Sequence, residues 1–168
     1  MRIIVSDTSC LIDLKRAGLL AFFVQLPYEF IIPDVIFHKE LVSFSKTEKN
    51  IIKNSMTIGS LEPKKVSKVR EILQEVPALS IYDAFAFIVA KQNQDSILLT
   101  GDRRLRNLSI SREVEVHGVL WVIEELEKHS KASKRIQIKA LEQWRNDPLA
   151  RLPQKTINSM IKKLKGFK

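Results

Sequence analysis

The chain has 168 residues and a formal net charge of +9, enough length for one domain with a real core and a small appendage. Its single cysteine, Cys10, excludes an intramolecular disulfide framework. No apolar run reaches membrane-spanning length, and Gly and Pro are too few for a fibrous or disordered chain. Residues 1–129 hold 17 Lys/Arg and 17 Asp/Glu, whereas residues 130–168 hold 11 Lys/Arg against Glu142 and Asp147 alone. The whole excess therefore lies in the last segment. It implies either an anionic partner or a solvated helical face.

Met1-Arg2-Ile3-Ile4-Val5-Ser6 opens directly as a strand, without a signal-peptide apolar region, so a cytoplasmic location is expected. Asp7-Thr8-Ser9 then offers N-cap chemistry to a helix carrying Leu11, Ile12 and Leu14, which Gly18 ends. A short helix over 19–25 precedes a second strand at Phe30-Ile31-Ile32. Pro33 stops that strand, and Asp34 caps a helix through Leu41. Residues 45–55 read as a polar helix and 56–61 as a weaker strand. Residues 64–75 form a helix with Val66, Val69, Ile72 and Leu73 on one stripe.

Residues 80–93 are apolar almost all round, the mark of a buried helix. Ser96-Ile97-Leu98-Leu99-Thr100 is a buried parallel-strand pattern, followed by a short helix over 102–108. A last strand at 113–116 leads into a helix striped by Val119, Val122, Ile123 and Leu126. Helices alternating with short apolar strands define a three-layer α/β/α sandwich around a mainly parallel sheet. Beyond residue 129 come two further amphipathic helices, one with Ile136, Ala140, Leu141 and Trp144, the other with Ile157, Met160, Ile161 and Leu164. The expected organisation is an α/β unit over 1–129 and a basic helical hairpin over 130–168. The hairpin's apolar face needs a cover: its own domain, a twin subunit or another protein.

Four carboxylates, Asp7, Glu40, Asp83 and Asp102, sit where a strand or turn hands the chain to a helix. Such junctions converge on the edge of an open α/β sheet where ligands bind. Singly, each has a structural explanation as a helix cap or solvated side chain; Ser80-x-x-Asp83 is a capping box in pattern. Together they are explained by one divalent-cation site, because crowded carboxylates repel unless a cation holds them.

The segments Val5-Ser6-Asp7-Thr8-Ser9, Ile32-Pro33 to Glu40, Leu79-Ser80 to Asp83-Ala84 and Leu98-Leu99-Thr100-x-Asp102 resemble the acidic motifs of PIN-domain ribonucleases. That family includes the VapC-type toxins of toxin–antitoxin pairs. The resemblance spans about residues 1–125, in the family's order. It implies a PIN-like fold in which Asp7, Glu40, Asp83 and Asp102 are catalytic and ligate Mg²⁺ or Mn²⁺. It further implies that Thr8, Ser9 and Thr100 orient those acids. An RNA substrate, an antitoxin protein and a homodimer follow as expected partners. Where the family often carries a further acid after the Asp102 position, this chain has Arg103, Arg104 and Asn107, so the number of metals stays open.

Arg103, Arg104 and Arg106 stand beside Asp102 as candidates to hold RNA phosphates, against the simpler reading of solvated charge. Cys10 and Arg16 have the spacing of cysteine phosphatases, but the apolar helix between them is no phosphate-binding loop. Two rival functions remain. A receiver-like or phosphatase-like phosphoryl-transfer domain would need a second acid close to Asp7 or an upstream acidic pair, plus a late lysine. Ser9 stands two residues after Asp7, and no lysine directly follows the strand over 96–100. A non-catalytic PIN-like interaction module would keep the acids without turnover.

Overall fold

The structure is a computed structural model that describes residues 1–166. Its centre is a five-stranded, wholly parallel sheet in the order β3-β2-β1-β4-β5. The strands are β1 (Ile3–Ser6), β2 (Glu29–Pro33), β3 (Thr57–Gly59), β4 (Ser96–Leu99) and β5 (Glu115–His117). All four residues of β4 are buried, as are Ile4, Val5 and Ser6 of β1, and the two edge strands are only three residues long. That gradient follows from covering a parallel sheet on both faces, which leaves its middle strands no solvated side.

The chain leaves β1 through α1 (Thr8–Arg16) and α2 (Leu20–Phe23), and enters β2 on one side of β1. Later it returns to β4 on the other side, with Ser6 in register with Leu99. The strand order therefore reverses between β1 and β4. At such a switch point the flanking connections diverge and leave a crevice beyond the carboxyl ends of the strands.

Helices flank the sheet as expected of a PIN-like sandwich. After α3 (Asp34–Lys39), a 3₁₀ turn (Leu41–Ser43) and α4 (Lys46–Ser55), the chain passes through β3 into α5 (Pro63–Glu75) and α6 (Ile81–Gln92). Ala84, Ala86, Phe87, Ile88, Val89 and Ala90 of α6 are buried, and the helix packs on β1, β2 and β4. The remaining helices are α7 (Arg103–Ser111), α8 (Val119–Lys128), α9 (Lys134–Asn146) and α10 (Gln154–Lys165). Gly18 ends α1 in a left-handed conformation at φ +68°, and Gly18 and Leu19 donate to the Lys15 and Leu14 carbonyls. This is a Schellman close that glycine adopts without a Cβ penalty.

Local expectations depart from the structure in three places. Pro33, not Asp34, holds the cap position of α3, and the Asp34 carboxylate accepts from the Val35 N–H at 2.7 Å. Helix α3 stops at Lys39 and tightens into the 3₁₀ turn, which leaves Glu40 at the junction rather than inside a helix. Val66 and Ile81 are about half exposed, each near the start of its helix, α5 and α6 respectively.

The hairpin of α9 and α10 covers its apolar face with its own chain. Trp144 is fully buried and its indole N–H donates to the Asp13 carbonyl on α1 at 3.0 Å. Ala140, Leu141, Ile157, Ile161 and Leu164 are buried with it. Two of its lysines are part-neutralised, Lys163 by Glu127 at 3.0 Å and Lys165 by Glu142 at 3.2 Å. Among the described residues, no helix is long and apolar enough to cross a membrane. Removing so large a buried ring leaves a cavity that the surrounding helices cannot close. Urea unfolding should therefore show Trp144→Ala destabilised by about 3–5 kcal/mol; an unchanged midpoint would mean the hairpin does not support the fold.

Candidate functional site

Asp7 follows the last residue of β1 and its carboxylate is 3 % exposed. Its backbone N–H donates to the Leu99 carbonyl at 3.1 Å, which fixes it beside the end of β4 at the switch point. The side chain caps α1, accepting from the Cys10 N–H at 3.1 Å and the Ser9 hydroxyl at 2.8 Å, while the Thr100 hydroxyl donates to its other oxygen. Burial pushes its pKa up from 3.8 to about 6 although those three hydrogen bonds favour the anion, and the nearby charge of Asp83 adds to the rise.

The same hydroxyls tie in the neighbouring loop. Thr100 Oγ1 accepts from the Asp102 N–H at 3.0 Å, and Ser9 Oγ accepts from the Gly101 N–H at 3.0 Å. A Cβ on Gly101 would stand 3.1 Å from Ser9 Oγ, so the loop's close approach depends on that glycine. Thr8 donates to Glu40 Oε2, joining α1 to the junction after α3. The hydroxyls of Thr8, Ser9 and Thr100 thus connect Asp7, Glu40 and the Asp102 loop.

Asp83 and Asp102 are held differently. Asp83 closes the capping box of α6, its Oδ2 accepting from the Ser80 N–H at 2.8 Å and the Ser80 hydroxyl at 2.7 Å. Asp102 caps α7, its Oδ1 accepting from the Arg104 and Leu105 N–H groups, both at 2.8 Å. Each of these helix ends takes one carboxylate oxygen. Asp83 Oδ1, Asp102 Oδ2 and Glu40 Oε1 carry no hydrogen bond among the described residues. Nor does any of the four acids join an ion pair with a described residue.

An all-oxygen donor set with free oxygens fits a hard divalent cation such as Mg²⁺ in chemical kind. It is not drawn together as a finished cage: among the described residues, no group of three or more His, Cys, Asp or Glu is arranged to hold a metal ion. Asp83 and Asp102 face their helix ends, and cap geometry rather than mutual approach sets their rotamers.

The arginines divide. Arg103 and Arg104 are exposed beside Asp102, whereas Arg106 is part-buried with its guanidinium 3.4 Å from the Thr100 and Val116 carbonyls, clasping the turn after β4 to β5. Cys10 is fully buried and its thiol is pushed well above its ordinary pKa by that burial, which removes a thiol nucleophile from consideration. Two residues near the site escaped the sequence reading, Asp13 and Arg151. They line a cleft of about 340 Å³ together with Thr100, Gly101, Arg106 and Trp121. Asp13 is six residues after Asp7 on one helix; Arg151 reaches the site only through the turn between α9 and α10, for which sequence offers no signal.

The fold is thus an open parallel α/β sheet with a buried acid, Asp7, at its switch point. The model of the family DUF3368, PIN domain, matches residues 3–166, and the chain belongs to this PIN-domain family. The match runs through both α9 and α10. PIN domains are generally nucleases. Comparison with curated proteins and with solved structures finds no match for the chain.

The Asp7 shift has a definite sign. The folded chain holds that proton more tightly than the unfolded chain, with a pKa of about 6 against 3.8. Asp7 therefore favours folding below about pH 4, and that contribution is lost as the pH rises to about 6, a difference of up to about 3 kcal/mol. In EDTA, Asp7→Asn should be more stable than the wild type at pH 7.5 and lose that advantage by pH 4. Urea titrations at the two pH values check this, and a variant less stable at pH 7.5 would refute it.

Proposed function

We propose that this chain is a metal-dependent endoribonuclease in which Asp7, Glu40, Asp83 and Asp102 hold Mg²⁺ or Mn²⁺. The observation that carries the reading is Asp7 itself: an enclosed carboxylate at the switch point, held by two hydroxyls and an amide and within reach of the Asp83 charge, with no basic partner among the described residues. Burying an unpaired carboxylate is unfavourable unless something cationic joins it. Glu40, Asp83 and Asp102 each keep an oxygen for the same cation. Family membership supports RNA as the substrate class.

When bound, the cation would lower the pKa of the attacking water and neutralise charge on the phosphoryl and leaving oxygens. The chain's own residues do the positioning. Thr100 and Ser9 keep Asp7 in one orientation, and Thr8 does the same for Glu40. Exposed Arg103 and Arg104 flank Asp102 and draw RNA phosphates toward an acid-lined edge that would otherwise repel them. A toxin role, an antitoxin partner, a homodimer and a cytoplasmic location rest on the likeness of the acidic motifs to VapC-type proteins and are part of the same proposal.

A second reading has its own support. Asp83 and Asp102 both serve as helix caps, so they would be retained in an interaction module that never turns over RNA. Incubating the full chain with single-stranded RNA and Mn²⁺ or Mg²⁺ separates the two. Cleavage is expected to fall at least about 100-fold in Asp7→Asn and to vanish in EDTA. Persistence of cleavage in the variant or in EDTA would defeat the metal-nuclease assignment, and RNA binding without cleavage in the wild type would favour the module.

A further inference from the structure

Beside the acid edge runs a trough whose far wall is the turn between α9 and α10. Two adjoining clefts of about 340 and 430 Å³ make it up, and both are lined by Asp13, Gly101, Arg151 and Leu152. Each is within the size range of small-ligand sites. At one end the trough reaches Ser9 and Thr100, the two residues whose hydroxyls bond Asp7, so it is continuous with the proposed catalytic edge. Trp121 and Leu152 give it apolar wall, and Leu149 stands 66 % exposed at its margin.

The charges in the trough are of two kinds. Arg151 is exposed and makes no ion pair with a described residue, which leaves it free for a phosphate. Asp13 is harder to explain in an anion-binding groove. Its carboxylate makes no hydrogen bond or ion pair to a described residue, and Arg16, its neighbour one turn on, instead meets Asp147 at 3.7 Å. Partial burial raises its pKa to about 6, with Asp147 adding to the rise and Arg16 opposing it. A half-buried, unpartnered acid cannot be there for a phosphate. It is suited to N–H donors, because a carboxylate is a pure acceptor with two oxygens side by side.

We propose that this trough is a nucleotide subsite in which Asp13 reads the Watson–Crick edge of an unpaired base, with Arg151 on the adjoining phosphate and Trp121 and Leu152 as apolar wall. Single-stranded RNA exposes such edges, and guanine presents two adjacent N–H donors that match one carboxylate. Guanine is therefore the base selected. The inference deepens the ribonuclease reading and takes RNA from it, but the subsite is testable by binding alone.

The test is fluorescence anisotropy of the full chain in EDTA with end-labelled hexauridylate and with the same hexamer carrying one internal guanine. The wild type should bind the guanine-bearing hexamer about tenfold more tightly. Asp13→Asn should bring the ratio close to one, and Arg151→Ala should weaken both hexamers alike. Equal binding of the two hexamers by the wild type overturns the subsite. So does a guanine preference that survives in Asp13→Asn. A preference abolished by Asp13→Asn in a chain that never cleaves RNA with Mn²⁺ would uphold the subsite and remove the nuclease reading instead.

Discussion

The site depends on one buried charge. Asp7 is placed where β1 ends, enclosed by the neighbouring strand and by α1, and it is kept from water by the packing that makes the sheet stable. Two hydroxyls and an amide do not restore what water would supply, which is why its proton is held to about pH 6. The hydroxyls of Ser9 and Thr100 are shared between Asp7 and the backbone of the loop to Asp102. One small cluster therefore sets both the orientation of the enclosed acid and the course of the chain to the next one. A cation arriving there would relieve the desolvation and order the loop in one event.

Much of this architecture was legible from residue pattern because burial and capping act locally. The sheet's central strands are short continuous apolar runs, and the covered helix α6 is apolar almost all round. Ser80 and Asp83 close the capping box their spacing requires. The same local forces explain the misreadings. Pro33 and the tightening at Glu40 depend on how α3 meets the sheet and on the Thr8 hydroxyl 32 residues away, and no window around residues 33–41 contains that partner.

The acids show where such reading runs out. Their positions at strand–helix junctions are read from sequence, and hydrogen bonds tie α1 to the junctions at Glu40 and Asp102. Side-chain direction is a separate question. Asp83 and Asp102 point where the nearest unpaired backbone N–H groups are, since a helix start offers donors at no cost in reach. A cap and a ligand are compatible roles for one carboxylate, because the cap uses one oxygen and leaves the other. The structure shows Asp83 and Asp102 in helix-capping roles, and a shared cation for the four acids belongs to the proposed function.

The basic C-terminal segment gains a different meaning from its position. Trp144 fastens α9 to α1 through the Asp13 carbonyl, and Arg16 of the same helix meets Asp147 just after it. Those two ties hold the turn carrying Arg151 and Leu152 against the face of α1 that bears Ser9 and Asp13. Had the hairpin packed elsewhere, Asp13 would be an ordinary solvated carboxylate on an exposed helix. Burial raises its proton affinity, and Asp147 at the end of α9 adds to the rise. The hairpin's charge alone indicates an anionic partner, but a uniform basic face would hold any RNA alike. A single acid enclosed beside an arginine distinguishes among bases, and the helices that enclose it lie within the stretch matched by the PIN-domain family.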